Sequence, residues 1–436
     1  MNKLKIITAF LFIYVFALSA CAQQTEQYDI LLKGGNVIDP ANNISAQFDV
    51  AVSDGVIARV AEDIPSGSAK KVVDASGYIV SPGFIDLHTH VFFTFLDAPR
   101  RYVIPDHHSF QSGITTMVDA GTSGADNFEE FNKVIDSSKT RILVFLNIAA
   151  PGKNNAVNDP LEFKVAPAVA TAKKYPEIIV GFKSCSYWYP GKPYDEIHTP
   201  WASVDKVLEA ARSADLPAII EFAPRTAEGE YPARSFRELV LEKMEPGDIL
   251  TCMFSRYIPV VLENGNVNPD LIKAQKRGVY FDGAHGAGSF IYRNAAPAIR
   301  QGFVPDAIST DLHGPGRTST VVDLLNVMSK FLNMGMSLED VIKSSTTRPA
   351  QIVSRPDLGT LTVGNTADIA ITEMQTGNFS YVDTNGGRMT GDKKLGIVMT
   401  LFGGDIVFDP YGVSSPEWET IPKDSRYWES PTKQRW

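Results

Sequence analysis

Residues 81–90 read Ser81-Pro82-Gly83-Phe84-Ile85-Asp86-Leu87-His88-Thr89-His90. An apolar run, 78–87, ends there in two imidazoles separated by one residue. On a strand, residues i and i+2 point to the same side, so both rings reach one point, as two ligands of one metal ion do. An HxH pair alone is weak, because many such pairs are only polar strand ends. Its weight depends on what surrounds it.

Seven more short apolar runs follow, at 114–120, 142–148, 178–182, 217–222, 248–254, 279–283 and 307–311. Each has the near-continuous apolar character of a parallel strand buried on both faces. Helical patterns such as 203–213 and 321–334 fit between some of them. Alternating β and α at this spacing argues for a parallel α/β fold. Polar residues close the runs: His88 and His90, then Asp119, Asn147, Lys183, Glu221, Cys252, His285 and Asp311, spaced 26 to 38 residues apart. Each interval holds about one strand, one helix and two loops. Eight such units close a (β/α)₈ TIM barrel, whose active sites lie at the C-terminal strand ends, where these residues fall. A doubly wound sheet would not naturally supply eight consecutive strands with a polar residue at each end.

The flanks differ. Residues 28–77 read as β, with a hairpin signal at Ser53-Asp54-Gly55. Residues 367–373 and 395–408 are again strand-like, with Gly-Gly pairs at 386–387 and 403–404. The chain divides into a leader (1–20), a β-module from two segments (27–77 and 355–410), a barrel (78–354) and a polar tail (411–436).

The segment PGFIDLHTH (82–90) resembles the first-strand signature of the amidohydrolase superfamily, in its deacetylase and dihydroorotase-like branch. The resemblance covers nearly the whole chain after the leader. LLKGGNVIDP (31–40) is similar to the first strand of that family's small β-sandwich, STDLH (309–313) to its last barrel strand, SSTTRPAQIV (344–353) to the helix after it, and GNTADIAI (364–371) to the return to the sandwich. The resemblance implies a TIM barrel with a composite β-sandwich from both chain ends. It also implies metal-assisted hydrolysis of amides, cyclic amides and some esters. By position, His88, His90 and Asp311 would hold a first metal, zinc or another divalent ion, with Asp311 also carrying the catalytic proton. Lys183 matches a lysine that bridges two metals as a carbamate; an unmodified ammonium has no lone pair for a metal, so carboxylation would be required.

Two positions depart from the family pattern. Histidines are usual at the ends of strands 5 and 6, where this chain has Glu221 and Cys252. Both are competent zinc ligands. We therefore expect a retained but altered second site of Glu221, Cys252 and carboxylated Lys183. The alternative is a single metal, Glu221 paired with a bare Lys183, and Cys252 as a small core residue. His285, in Gly283-Ala284-His285-Gly286, resembles a histidine that faces the substrate; a buried, satisfied histidine is the other reading. His313 is expected to contact substrate. Arg225 and Arg256 are candidates for gripping a substrate carboxylate in a bidentate fork. Tyr187, Trp188 and Tyr189 are candidates for the pocket wall.

Composition bounds the rest. The 436 residues carry 41 basic and 50 acidic side chains, a net charge of −9, which argues against a nucleic-acid surface. Three cysteines cannot build a disulfide framework. Lys3 and Lys5 precede an uncharged apolar run, 6–18, too short to span a bilayer. It ends in Leu18-Ser19-Ala20-Cys21, which resembles a bacterial lipobox and predicts a lipid anchor on Cys21 and an outer-membrane location facing the periplasm. Cleavage after Ala22 to a soluble periplasmic form is the alternative. The expected activity is hydrolysis of a small acylated substrate, such as an N-acyl amino acid or dipeptide. The alternatives are a cyclic amidase and a non-catalytic binding lipoprotein on the same fold. The sequence leaves a homo-oligomer open.

Overall fold

A computed structural model describes residues 27–92, 103–153, 159–184, 197, 199, 201–222, 233–314 and 320–422. Its first sheet draws on both ends of the chain. It holds β1 (Tyr28–Asp39), β2 (Ile44–Ser53), β3 (Val56–Ala61), β4 (Ala69–Asp74) and β5 (Ile79–Pro82), with β13 (Ile369–Val382), β14 (Arg388–Phe402) and β15 (Asp405–Phe408) from the far end. The order is β15-β14-β13-β5-β1-β2-β3, and β4 also pairs with β1. The two ends meet where β5 runs antiparallel to β13, from Ile369 opposite Pro82 to Thr372 opposite Ile79. The predicted hairpin forms: Ser53 pairs with Val56 around Asp54 (φ 50°) and Gly55 (φ 78°). Two left-handed residues make the turn whose twist suits a two-residue hairpin. Leu32, Val50, Ile369, Ile371, Val398 and Leu401 form one buried cluster across the sheet.

The second sheet is all parallel and follows chain order: β6 (Phe84–Thr89), β7 (Ile114–Ala120), β8 (Arg141–Asn147), β9 (Ile179–Ser184), β10 (Ala218–Ile220), β11 (Ile249–Leu250) and β12 (Tyr280–Phe281). The eighth position is filled by 307–312 through two parallel bridges, Asp282 to Ala307 and Thr89 to Leu312. The Asp86 carboxylate reinforces that closure, accepting bonds from the Thr310 backbone N–H (2.9 Å) and hydroxyl (2.6 Å). Helices lie between the strands, among them Phe128–Ser137, Val165–Lys174, Ala202–Ala214, Pro269–Arg277, Tyr292–Arg300 and Leu324–Met334. This is a barrel of the TIM type.

Three readings need correction. The run 78–87 is two strands, because β5 belongs to the first sheet and β6 to the barrel. The break falls at Gly83, whose N–H bonds to the Asp368 carbonyl and where a Cβ would lie 2.4 Å from the Thr115 side chain. The later barrel strands are far shorter than the apolar runs that predicted them. Their C-terminal residues leave the ladder to point polar groups inward, and Cys252 (φ 54°) and Asp311 (φ 47°) there adopt a left-handed backbone that non-glycine residues rarely take. The helix read from 321 begins at Leu324, because the Asp323 carboxylate caps it by accepting from the Asn326 N–H at 2.7 Å.

Candidate metal centre

His88 and His90 leave the end of β6 fully buried beside Asp311, and one ligand atom from each of the three lies within 4.8 Å of the others. The Nε2 atoms stand 3.5 Å (His88) and 3.2 Å (His90) from Asp311 Oδ1. Asp311 reaches them from the eighth strand position. A Cβ on Gly286 would fall 2.2 Å from Asp311 Oδ2, so only glycine leaves the carboxylate room.

Hydrogen bonds behind the rings decide which nitrogen is bare. The Thr251 hydroxyl donates to Asp282 Oδ2 at 2.7 Å, so its lone pair is open to the proton on His88 Nδ1 at 2.8 Å. His90 Nδ1 meets the Thr122 hydroxyl at 2.9 Å, and Thr122 is held through its backbone N–H by Asp119. His88 thus spends its Nδ1 proton on a threonine backed by a buried aspartate, while His90, whose Nε2 accepts from the Lys153 ammonium at 2.6 Å, carries its proton on Nδ1 toward Thr122, and both turn an unprotonated Nε2 toward Asp311. Such partners orient a metal-binding histidine and set its tautomer.

The inward atoms are then left without protons to share. His88 Nε2 and Asp311 Oδ1 are buried and have no hydrogen-bond partner. Burying two lone-pair-bearing groups face to face is costly, and native proteins rarely leave it so. A divalent cation between them answers both, and two imidazoles with one carboxylate are a competent donor set for it. Burial pushes the His88 pKa well down and that of His90 to about 3, which keeps both rings in the neutral, ligating form. At Asp311 burial opposes ionisation, and His313, whose own pKa is raised beside it, favours the carboxylate.

Of the residues expected at a second site, Glu221 and Cys252 line the cavity that Asp311 also lines, and Lys183 pairs with Glu221. Among the described residues, Glu221 and Cys252 join no group of three histidine, cysteine, aspartate or glutamate ligand atoms. Glu221 is instead an ion-pair partner of the fully buried Lys183, with Nζ 2.8 Å from Oε2. Burial opposes that carboxylate's charge, yet Lys183 and Lys153 hold its pKa below the ordinary value. The Cys252 thiol is pushed well up by burial and by the nearby Glu221 and Asp311 charges.

The other candidates separate. His313 lies 26% exposed on the cavity wall, its Nδ1 3.7 Å from Asp311 Oδ1. Arg256 lines the same cavity, of about 440 Å³, and reaches Asn385 at 3.3 Å. His285 has both nitrogens engaged by the protein: Nδ1 with the Gly286 carbonyl (2.8 Å) and Nε2 with Lys330 Nζ (2.7 Å). Its ring stacks on Phe290 at 4.6 Å. It therefore matches the buried, satisfied reading rather than the substrate-facing one. Arg225, Tyr187, Trp188, Tyr189 and Cys21 lie outside the described residues. The residues sequence reading missed are Thr251, Thr122 and Lys153. Thr251 and Thr122 sit beside recognised strand ends, and a hydroxyl there was the available signal.

Comparison with known proteins agrees with this geometry. The family model described as "Amidohydrolase family" matches residues 79–407. A deacetylase of Enterococcus faecalis is 29% identical over 389 residues, covering 87% of this chain and 99% of that protein. A deacetylase of Brucella anthropi is 31% identical over 352 residues, covering 78% and 83%. The crystal structure of an adenine deaminase superposes with a TM-score of 0.77 at 27% identity, covering 88% of this chain and 100% of the other. The chain belongs to the amidohydrolase family and is a hydrolase of carbon–nitrogen bonds.

Proposed function

We propose that the protein is an exported, metal-dependent hydrolase of small acylated substrates, with N-acyl amino acids and dipeptides as the substrate class. The observation that carries the metal dependence is the pair of buried, unpartnered atoms, His88 Nε2 and Asp311 Oδ1, facing one another at 3.5 Å. His88, His90 and Asp311 hold one divalent ion, zinc by donor type. When bound, it supplies a Lewis acid for the scissile carbonyl and acidifies water. Asp311 takes the proton from the attacking water and delivers it to the leaving nitrogen. His313 stands beside Asp311 on the cavity wall and contacts the substrate. Arg256, on the same wall, grips the substrate carboxylate. Lys183 and Glu221 offset one another's charge beneath the pocket. The sheet built from both chain ends is read as the family's folded-over β-sandwich, since Leu31 and Leu32, on opposite faces of β1, are both buried.

Elemental analysis combined with a hydrolysis screen tests this reading. About one metal per chain, an intact mass without a carboxyl adduct on Lys183, and turnover of acyl amino acids or dipeptides are expected. Turnover of dihydroorotate alone would move the activity to cyclic amides. No metal and no turnover would leave a binding protein.

Localisation follows from residues 1–21. We propose that Cys21 is lipidated and that the chain after it tethers the barrel to the outer membrane. Labelling cells with a radioactive fatty acid should mark the protein, and Cys21→Ser should abolish the mark. An unlabelled, soluble wild-type protein would favour cleavage after Ala22.

A further inference from the structure

We propose that the Lys153 ammonium is an internal cation that competes with the metal for His90, and that metal entry hands it to the substrate pocket as an anchor for a carboxylate. This rests on the metal-site reading given above. Lys153 Nζ stands 2.6 Å from His90 Nε2. His90 has already committed Nδ1 to Thr122, so Nε2 carries its one available lone pair. That lone pair cannot accept from an ammonium and bind a metal at once. His88 has no such competitor, since its Nε2 meets no hydrogen-bond donor. Lys153 therefore caps one of the three proposed ligands, and a divalent ion must displace it, aided by repulsion between two cations at close range.

The displaced side chain stays within the reach of its stem. The Lys153 backbone N–H bonds to the Thr122 carbonyl at 3.0 Å, on the residue whose hydroxyl orients His90. The backbone is pinned, so the flexible four-carbon stem does the moving. Lys153 already lines the cavity that also presents Arg256, Ser255 and Tyr257. An ammonium released there joins Arg256 and two hydroxyls on a wall whose own carboxylate, Glu221, is already paired with Lys183. Metal loading and anion binding are then coupled in the same direction: each ligand favours the lysine position that the other needs.

The test uses the full chain, stripped of metal and titrated with zinc against a chromophoric chelator. Freeing His90 from one hydrogen bond and one repulsive charge should make Lys153→Met bind zinc about tenfold more tightly than wild type, the scale of one net hydrogen bond. Lys153→Arg, which keeps the charge, should stay within about threefold of wild type by the same reasoning. An unchanged or weaker zinc affinity in Lys153→Met overturns the competition. In the zinc-loaded protein, preference for an acyl amino acid over its neutral amide should fall about tenfold in Lys153→Met, the loss of one charge-assisted contact. An unchanged preference overturns the anchoring role. If the wild-type protein binds zinc but turns over neither compound, the substrate reading fails while the zinc titration still decides the competition.

Discussion

Replacing His88 and His90 together by alanine is expected to empty the metal centre and reduce turnover to background. In the proposed centre the two rings supply two of the three ligands, and a lone Asp311 carboxylate cannot hold a divalent ion in competition with buffer and water. The cost to the fold is separate. Truncation removes two buried rings and leaves the Thr251 and Thr122 hydroxyls without their imidazole partners, at about 1–3 kcal/mol for each buried polar group stranded. Elemental analysis and turnover should be read together with a thermal melt, so that a folded, metal-free, inactive protein is told apart from an unfolded one. A folded double variant that kept its full metal content and activity would place the centre elsewhere.

Asp311→Asn separates ligation from proton transfer. Asparagine keeps an oxygen at the same place, so much of the metal should remain. It cannot accept and return a proton at working pH, so the rate should fall by roughly 10²-fold or more, the usual scale of general acid–base loss. The fold should tolerate the change, because asparagine is among the residues that best accept the left-handed backbone Asp311 adopts at φ 47°. Turnover within about tenfold of wild type, with metal content intact, would assign the proton to another group.

The sequence carried the barrel because a parallel strand buried on both faces leaves an apolar run, and a site at the strand ends leaves a polar residue after it. β7 was legible to the residue, at Ile114–Ala120. The eighth strand was legible as an apolar run but forms only two bridges, because hydrophobicity does not report where a ladder breaks. His88, His90 and Asp311 were legible as one cluster because strand ends of a barrel converge on one face. The departures at Glu221 and Cys252 were visible, yet their consequence was not. Whether Glu221 meets a metal or Lys183 depends on a distance between two strands, which spacing along the chain does not encode. Lys153 escaped for a related reason. It sits five residues beyond the run 142–148, and only the folded loop brings its ammonium back to the first strand.

The antiparallel pairing of β5 with β13 bears on how the molecule is made. A ribosome delivers Pro82 early and Ile369 only after the entire barrel sequence has been translated. Throughout that interval β5 has its β1 edge available and its other edge unsatisfied, a template for pairing with the wrong chain. Closure across so long a separation is also slow, since the intervening chain must be ordered before the contact is gained. For a cytosolic enzyme that delay is a hazard. For a polypeptide threaded through a secretion channel, as proposed from residues 1–21, it is an advantage, because the sheet cannot complete itself before the C-terminal strands arrive.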